Sequence, residues 1–194
     1  MNKWNNTDQQ WSYRKINKKS FNRYSAGILP YSFDNQGKSV FLLGKDYDGD
    51  WSDFGGRCEF KDKDDPINTA CREFYEETLG SVMNIQECVD KLSSCTKIES
   101  KTLNGSPYYM YLLYIEYRGY TEMFHKTSNF LKYNFHNEIN TLNRIIEKNT
   151  IRWVTLDTLI NCIENKHLRT PISLRGVFYK TLETCKEQLV FLSK

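Results

Sequence analysis

Residues 55–80 read GGRCEFKDKDDPINTACREFYEETLG and combine a glycine pair, a run of acids and a dense group of charged side chains. The second half of this segment predicts a helix from Ile67 to about Thr78. Asp65 suits the N-cap, and Pro66 suits the first helical position, where a missing N–H costs nothing. The glycines before it allow the backbone to bend and to approach a ligand closely. We expect the rest of the chain to serve as a scaffold for this segment.

The predicted helix carries three glutamates on one face. Residues three and four apart share a helix face, so Glu73, Glu76 and Glu77 project together. Like charges at this spacing destabilise a helix, and Arg72, four residues before Glu76, offsets only part of the repulsion. The remaining charge favours a divalent ion that prefers hard oxygen ligands, Mg²⁺ or Mn²⁺. An acidic face exposed to solvent is the alternative, and for this spacing alone it is the more frequent one.

The surroundings of these glutamates resemble the Nudix box, in which a glycine and a glutamate precede R-E-U-x-E-E-x-G-U, where U is aliphatic or aromatic. The matching residues are Gly56, Glu59, Arg72, Glu73, Phe74, Glu76, Glu77 and Gly80. The segment before Arg72 is about two residues longer than the pattern, and Leu79 is an extra residue before Gly80. Insertions are tolerated in loops and at helix ends. The longer segment places Asp62 nearest the first acidic position of the box and leaves its role open.

The resemblance implies a Nudix hydrolase, an enzyme that hydrolyses a nucleoside diphosphate linked to another group X. It implies that Arg72 orients the acids and that Glu59 pairs with Arg72 behind the metal ligands. The implied ligands of Mg²⁺ or Mn²⁺ are Glu73, Glu76, Glu77 and the carbonyl of Gly56. An independent argument agrees: a diphosphate is a dense anion, so attack of water at phosphorus is slow until divalent ions neutralise its charge.

The general base must lie within hydrogen-bond reach of the attacking water. Glu147 is the first candidate, because some Nudix branches, the mRNA-decapping enzymes among them, place a glutamate similarly ahead of a tryptophan-containing strand, here that of Trp153. Glu73 is the alternative, followed by Glu138 and Glu116. A surface position at a helix end explains Glu147 almost equally well.

Aromatic side chains near the same end of the predicted sheet are candidates for stacking on a nucleotide base, a contact worth about 1–3 kcal/mol. The candidates are Tyr24, Tyr47, Trp51 and Phe54. Aromatic residues make up 14% of the chain, so most tyrosines are expected simply to pack.

Strand-like and helical patterns along the chain predict an α/β (α+β) fold, a Nudix-like α/β/α sandwich around a mixed β-sheet. The run 108–117 is apolar or aromatic on both sides and should be a central strand, joined to 96–103 by a hairpin at Asn104 and Gly105. The strand at 25–32 contains a proline and should lie near an edge or a bulge. Further strands are predicted at 39–45 and 150–155, and helices at 84–92, from 156 and at 174–192. Residues 124–146 should form a long loop with a helix in it.

The length of 194 residues fits one domain. We divide the chain into a basic, flexible N-terminal arm at 1–23 and a single Nudix-like catalytic domain at 24–194 that ends in a packing helix. The net charge of +3 is too small to indicate nucleic-acid binding, but six lysines and arginines crowd the arm. The arm could follow an RNA backbone, although a solvated tail is the more frequent meaning of such a segment. Nothing predicts DNA specificity.

No apolar run has the length of a membrane span, and the N-terminus lacks the apolar core of a signal peptide. We therefore expect an intracellular, cytoplasmic protein without a membrane partner. The six cysteines show neither zinc-ligand spacing nor a disulfide framework, and we expect reduced thiols.

Three functions stay open on this evidence. The first is a metal-dependent Nudix pyrophosphohydrolase, with an mRNA cap or another large nucleotide as substrate, or alternatively dinucleoside polyphosphates, nucleotide sugars or diphosphoinositol phosphates. The second is a Nudix-fold module that binds RNA or a nucleotide without catalysis; the three intact glutamates argue against it. The third is a structural acidic helix in an unrelated α/β protein.

Overall fold

The computed structural model describes residues 24–165 and 170–192, so the predicted arm at 1–23 lies outside the described residues. Seven strands form one mixed sheet. The strands are β1 (Ser25–Phe33), β2 (Ser39–Asp46), β3 (Trp51–Ser52), β4 (Phe54–Arg57), β5 (Thr96–Lys101), β6 (Pro107–Tyr114) and β7 (Lys148–Thr155). The helices are α1 (Pro66–Glu77), α2 (Ile85–Leu92), α3 (Tyr120–Asn134), α4 (Ile139–Ile145), α5 (Leu156–Glu164) and α6 (Gly176–Phe191). A 3-10 turn at Phe60–Asp62 precedes α1.

The strands follow the order β3-β2-β1-β6-β5, with β4 also paired to β1 and β7 also paired to β2. β6 lies between β1 and β5, which confirms the prediction of a central strand. β1 also lies inside the sheet, so the expectation of an edge was wrong. On one side β1 pairs with β4 over residues 25–28 and then with β2 over 31–33. Pro30 falls between these two pairings, where a residue without an N–H fits.

Helices cover both faces of the sheet. Toward α1, α2 and α3, the sheet buries Ile28 and Phe54 against Phe74 and Phe124. Toward α5 and α6, a second core contains Phe41 and Phe178, with many apolar side chains between them. Each fully buried side chain of this size contributes about 1.5–3 kcal/mol relative to exposure. The predicted α/β/α sandwich around a mixed sheet is confirmed.

Helix α1 begins as predicted. The Asp65 carboxylate accepts a hydrogen bond from the backbone N–H of Ile67 at 2.9 Å, and Pro66 is the first helical residue. The helix ends at Glu77, and the extra residue Leu79 takes a left-handed conformation with φ 55° before Gly80 with φ 63°. The insertion therefore lengthens the turn after the helix and leaves the three glutamates in helical register.

Residues 120–145 contain two helices, α3 and α4, where a long loop with one helix was expected. The helical period was hard to see because α3 buries Tyr120, Phe124 and Ser128 but exposes Phe130 and Tyr133. Aromatic residues on both sides of a helix blur an amphipathic pattern. None of the helices described here is both long and apolar enough to cross a membrane.

A bulge interrupts the pairing of β2 with β7. Lys45 pairs with Thr150, and the next residue, Asp46, pairs with Lys148, so Asn149 is the extra residue on β7. A bulge of this kind re-aims the side chains at the end of a strand. Here it lies at the residues that follow Glu147.

Candidate active site

The glycine pair of β4 brings the sheet close to α1. Gly55 pairs with Gly27 of β1, and a Cβ added to Gly55 would lie 2.6 Å from the Gly27 Cα. A Cβ added to Gly56 would lie 2.4 Å from Oε1 of Glu73. The Glu73 carboxylate therefore occupies the space that a side chain at residue 56 would fill. The structure thus brings Gly56 and Glu73 together.

We predict that Gly56→Ala preserves the fold and displaces the Glu73 carboxylate. The clash is with the end of a flexible side chain, so the free energy of unfolding should change by less than about 1 kcal/mol. Binding of Mn²⁺, followed by isothermal titration calorimetry, should weaken at least about tenfold, because a displaced ligand loses its geometry. Gly119→Ala is the control, since nothing lies within 4 Å of a Cβ added there. Equal Mn²⁺ affinity in both variants would contradict the prediction.

Arg72 is the central cation of the site, and its side chain is only 8% exposed. Its Nη1 donates to Oε1 of Glu73 at 2.8 Å and to Oε2 of Glu76 at 2.9 Å. Its Nη2 donates to the carbonyl of Arg57 at 2.9 Å. The planar guanidinium therefore holds two of the three glutamates and the strand that carries the glycines.

Asp62 is the main partner of Arg72. Its two oxygens accept from Nε at 2.9 Å and from Nη2 at 3.0 Å, a bidentate pair. Burial acts to raise the pKa of Asp62, but hydrogen bonds from Arg72, the backbone N–H of Glu59 and Thr69 outweigh it, so the pKa is lowered. Glu59, the expected partner, lies 3.8 Å from Nη1 with a side chain 54% exposed. Asp62 thus takes the position beside Arg72 that was expected for Glu59, behind the predicted metal ligands.

Glu73 lies among other acids. Burial raises its pKa, the charges of Glu76 and Glu147 add to the rise, and Arg72 opposes it. Glu147 is exposed and directly precedes β7. The end of β7 therefore brings the first base candidate toward the acids of α1.

The other two base candidates lie elsewhere. Glu116 is exposed and pairs with Arg118. Glu138 is exposed at the N-cap of α4. Of these three candidates, Glu147 is the one whose charge is among the main causes that raise the pKa of Glu73.

Glu77, the third glutamate, is buried and already bonded. Its Oε2 accepts from the backbone N–H of Gly55 at 2.8 Å, and its Oε1 lies 3.2 Å from Nζ of Lys148. Burial raises the pKa of Glu77, while Lys148 opposes the rise. Burial also acts to lower the pKa of Lys148, but the attraction of Glu77 and Asp46 outweighs it, so that pKa is raised and the lysine stays charged.

A second buried acid, Asp53, lies between β3 and β4 and accepts a hydrogen bond from the hydroxyl of Tyr108. Burial raises the pKa of Asp53 to about 6, although Tyr108 and Lys148 act in the opposite direction. Asp53 also adds to the rise of the Glu77 pKa. The buried part of the site therefore has two acidic side chains, Asp53 and Glu77, near one lysine, Lys148.

The raised pKa of Asp53 predicts a stability that falls with pH. The folded protein binds this proton more tightly than the unfolded chain, so the free energy of unfolding decreases as pH rises from about 4 to about 6. Asp53→Asn removes the proton exchange and keeps an acceptor for Tyr108. As the pH rises from 4 to 7, the free energy of unfolding of the variant should increase by on the order of 2–3 kcal/mol relative to that of the wild type. Urea unfolding without divalent ions measures this difference. Asp48→Asn, at an exposed turn, is the control, and parallel curves for wild type and Asp53→Asn would refute the prediction.

The donor set fits a divalent ion in chemistry. Among residues 24–165 and 170–192, no three acidic, cysteine or histidine side chains are already grouped as ligands. The oxygen donors of Glu73, Glu76 and Gly56 are nevertheless of the type that Mg²⁺ and Mn²⁺ prefer. Mutual repulsion at Glu73, which Arg72 offsets only in part, would be relieved by a bound cation. Glu77 differs, because the lysine in contact with it, Lys148, is fully buried, whereas the lysine that contacts Glu76, Lys61, is exposed.

Burial decides which aromatic candidates can stack on a base. Phe54 is fully buried and packs edge-to-face on Phe74. Tyr24 is 6% exposed and bonds Thr69, and Trp51 is 5% exposed. A stacking role does not fit these three side chains, because their ring faces are covered. Tyr47 is 56% exposed and is the candidate that fits.

Lys148 was not predicted from the sequence as a site residue, and Asp62 was given no firm role. Two signals pointed to Lys148: it directly follows Glu147, and Gly44 interrupts the apolar run of β2. A glycine inside a strand often marks the close approach of another group. Asp62 could have been chosen over Glu59 because it lies nearest the acidic position of the Nudix pattern.

No protein-family model matches the sequence, and no curated protein matches it. Solved structures with a related fold include a Nudix hydrolase from M. smegmatis, RenU, with 13% identity, a TM-score of 0.46 and coverage of 87% of both chains. A C. elegans Ap4A hydrolase has 14% identity and a TM-score of 0.49, covering 86% of this chain and 98% of its own. The Nudix domain of Shewanella oneidensis NrtR, in complex with ADP-ribose, has 12% identity and a TM-score of 0.46, covering 86% and 87%. At these identities and TM-scores the likeness says nothing about the activity of this chain.

Proposed function

We propose that this chain is a metal-dependent Nudix pyrophosphohydrolase that cleaves a nucleoside diphosphate linked to another group. One observation carries the proposal: the Glu73 carboxylate lies against Gly56, is bonded to Arg72 and is repelled by Glu76 and Glu147. A solvated acidic helix face has no need of a buried arginine or of a glycine that makes room for one carboxylate. The arrangement therefore supports a cation site better than a surface.

Each residue of the site has a separate role in the proposed hydrolysis. Mg²⁺ or Mn²⁺, held by Glu73, Glu76 and the carbonyl of Gly56, would neutralise the diphosphate and lower the pKa of a bound water. Arg72 keeps two of these acids in place through one nitrogen, Nη1. Glu147, exposed and near Glu73, accepts the proton of the attacking water, with Glu73 as the alternative base.

The substrate class we place first is capped RNA or another large nucleotide. Its support is the position of Glu147 ahead of the strand that contains Trp153, together with the basic residues of the arm. Exposed Tyr47 offers a ring for a base. Dinucleoside polyphosphates, nucleotide sugars and diphosphoinositol phosphates are the competing classes.

The test is a substrate panel. The purified protein, with Mg²⁺ and separately with Mn²⁺, is incubated with capped RNA, diadenosine polyphosphates, ADP-ribose, nucleotide sugars and diphosphoinositol phosphates. Release from one class that depends on the metal and is lost in Glu73→Gln supports the proposal and identifies the leaving group. Absence of turnover on every substrate, with equal nucleotide binding by both proteins, overturns it.

One contact favours a second candidate, a module that binds a nucleotide or RNA without hydrolysis. Lys148 lies 3.2 Å from Glu77 and supplies positive charge at the site without a metal ion. A binding module would keep its affinity for a nucleotide in the presence of a chelator. A hydrolase would lose turnover under the same treatment, so adding EDTA to the panel separates the two.

A further inference from the structure

Lys148 is the least expected residue of the site, because a lysine is almost never fully buried unless it is paired. Its side chain is 0% exposed. Its Nζ donates to Oδ1 of Asp46 at 2.7 Å and to Oγ of Ser52 at 2.9 Å, and lies 3.2 Å from Oε1 of Glu77. These three acceptors match the three N–H groups of an ammonium. The lysine is therefore held at a defined point.

Gly44 provides the path by which Lys148 enters. A Cβ added to Gly44 would lie 2.9 Å from both Cδ and Cε of Lys148 and 3.0 Å from the ring of Phe54. The stem of the lysine therefore crosses β2 where that strand has no side chain. The bulge at Asn149 also helps to position the lysine, because it places Lys148 opposite Asp46.

Both oxygens of Glu77 are occupied by groups of the protein. Oε2 accepts from the Gly55 N–H, and Oε1 faces the ammonium of Lys148. A divalent ion bound to the same carboxylate would approach the fixed positive charge, and like charges at such distances repel strongly where water is scarce. Glu76 is also paired, through Oε2 with Arg72 at 2.9 Å and through Oε1 with Lys61 at 3.2 Å, but its side chain is 48% exposed and that of Lys61 is 55% exposed, so an ion from solvent can displace this lysine.

We propose that the ammonium group of Lys148 occupies the position beside the Glu77 carboxylate that a divalent ion would otherwise take. This inference rests on the proposed function, because it concerns the same cation site. It assigns ion binding to Glu73, Glu76 and the Gly56 carbonyl, and it makes the Lys148–Glu77 pair a positioning element that fixes Gly55 beside them. The site then holds fewer divalent ions than three open glutamates would.

The test counts bound Mn²⁺ by electron paramagnetic resonance, a readout that needs no substrate. Lys148→Met should bind an additional Mn²⁺ or bind at least about tenfold tighter, because Glu77 becomes available. The double variant Lys148→Met/Glu77→Gln removes a matched pair of charges and should return to within about threefold of the wild-type affinity. Glu73→Gln should weaken binding at least about tenfold. Lys186→Met, which removes a half-buried lysine paired with Glu164 far from the acids of α1 in sequence, is the control and should leave Mn²⁺ binding unchanged.

Two results overturn the inference: no gain of Mn²⁺ in Lys148→Met, or a loss of tenfold or more in the double variant, which would make Glu77 a direct ligand. If Lys148→Met does not fold, the double variant decides alone, since it removes Glu77 together with its lysine and leaves Asp46, which is 24% exposed, with Arg175 at 3.7 Å. Failure of the inference is distinct from failure of the proposed function. The first is read from Mn²⁺ binding, and the second from the substrate panel.

Discussion

Replacing Arg72 by methionine is expected to lower the free energy of unfolding by about 3–5 kcal/mol, the usual effect of removing one partner of a buried charge pair. The substitution leaves Asp62, which is 2% exposed, without its bidentate partner. It also removes the donor that Glu73 and Glu76 share. For a chain of this size the midpoint of thermal unfolding should fall by roughly 6–20 °C.

The control for this substitution is Arg144→Met, at an exposed arginine of α4. Differential scanning calorimetry of both variants without metal separates the buried network from a general effect of losing an arginine. Mg²⁺ should recover part of the stability of Arg72→Met, because a cation can replace some of the lost positive charge. A loss below about 1 kcal/mol would show that Asp62 and the glutamates find other partners.

Replacing Glu73 by glutamine is expected to reduce turnover of the substrate found in the panel by about 10²–10⁴-fold. This is the usual loss when a general base, or a ligand of the ion that activates the water, is removed. The amide has nearly the shape of the carboxylate and keeps an acceptor for Arg72. The fold should therefore survive, and the loss should fall on turnover. Initial rates at saturating Mg²⁺ measure it.

Glu87→Gln on α2 is the matched control, since that glutamate is exposed and pairs with Lys91 at 3.7 Å. Its turnover should equal that of the wild type. A Glu73→Gln enzyme within threefold of the wild type would remove Glu73 from the chemistry. In that case Glu147→Gln becomes the decisive variant for the general base.

The parts of the fold that depend on interactions between neighbouring residues could be predicted from local signals. Asp65 and Pro66 set the start of α1 because a cap and a fixed φ act within a few residues. The hairpin at Asn104 and Gly105 was predictable for the same reason, and Gly105 adopts φ 80°. Pro30 misled because its effect depends on where two distant strands end their pairing with β1.

The acidic residues of the candidate site could be predicted from the sequence, whereas the buried lysine, Lys148, could not. The spacing of Glu73, Glu76 and Glu77 follows from the helix period alone. The burial of Lys148 depends on Asp46, 102 residues earlier in the chain, and on Gly44 of a neighbouring strand. Hydrophobic periodicity within one helix or strand cannot indicate a contact between residues of different strands. The covered rings of Phe54 and Trp51 are likewise a result of packing between elements.

The bulge at Asn149 has a consequence for how this protein can diverge. Because Asn149 is an extra residue on β7, deleting it would restore a regular ladder in which Lys148 still pairs with Asp46, but it would remove the local bend and twist that aim Glu147 and Lys148. One codon thus controls the orientation of two adjacent residues of opposite charge. In descendants of this chain, loss of that codon should be followed by loss of selection on Gly44, while the acids of α1 are retained.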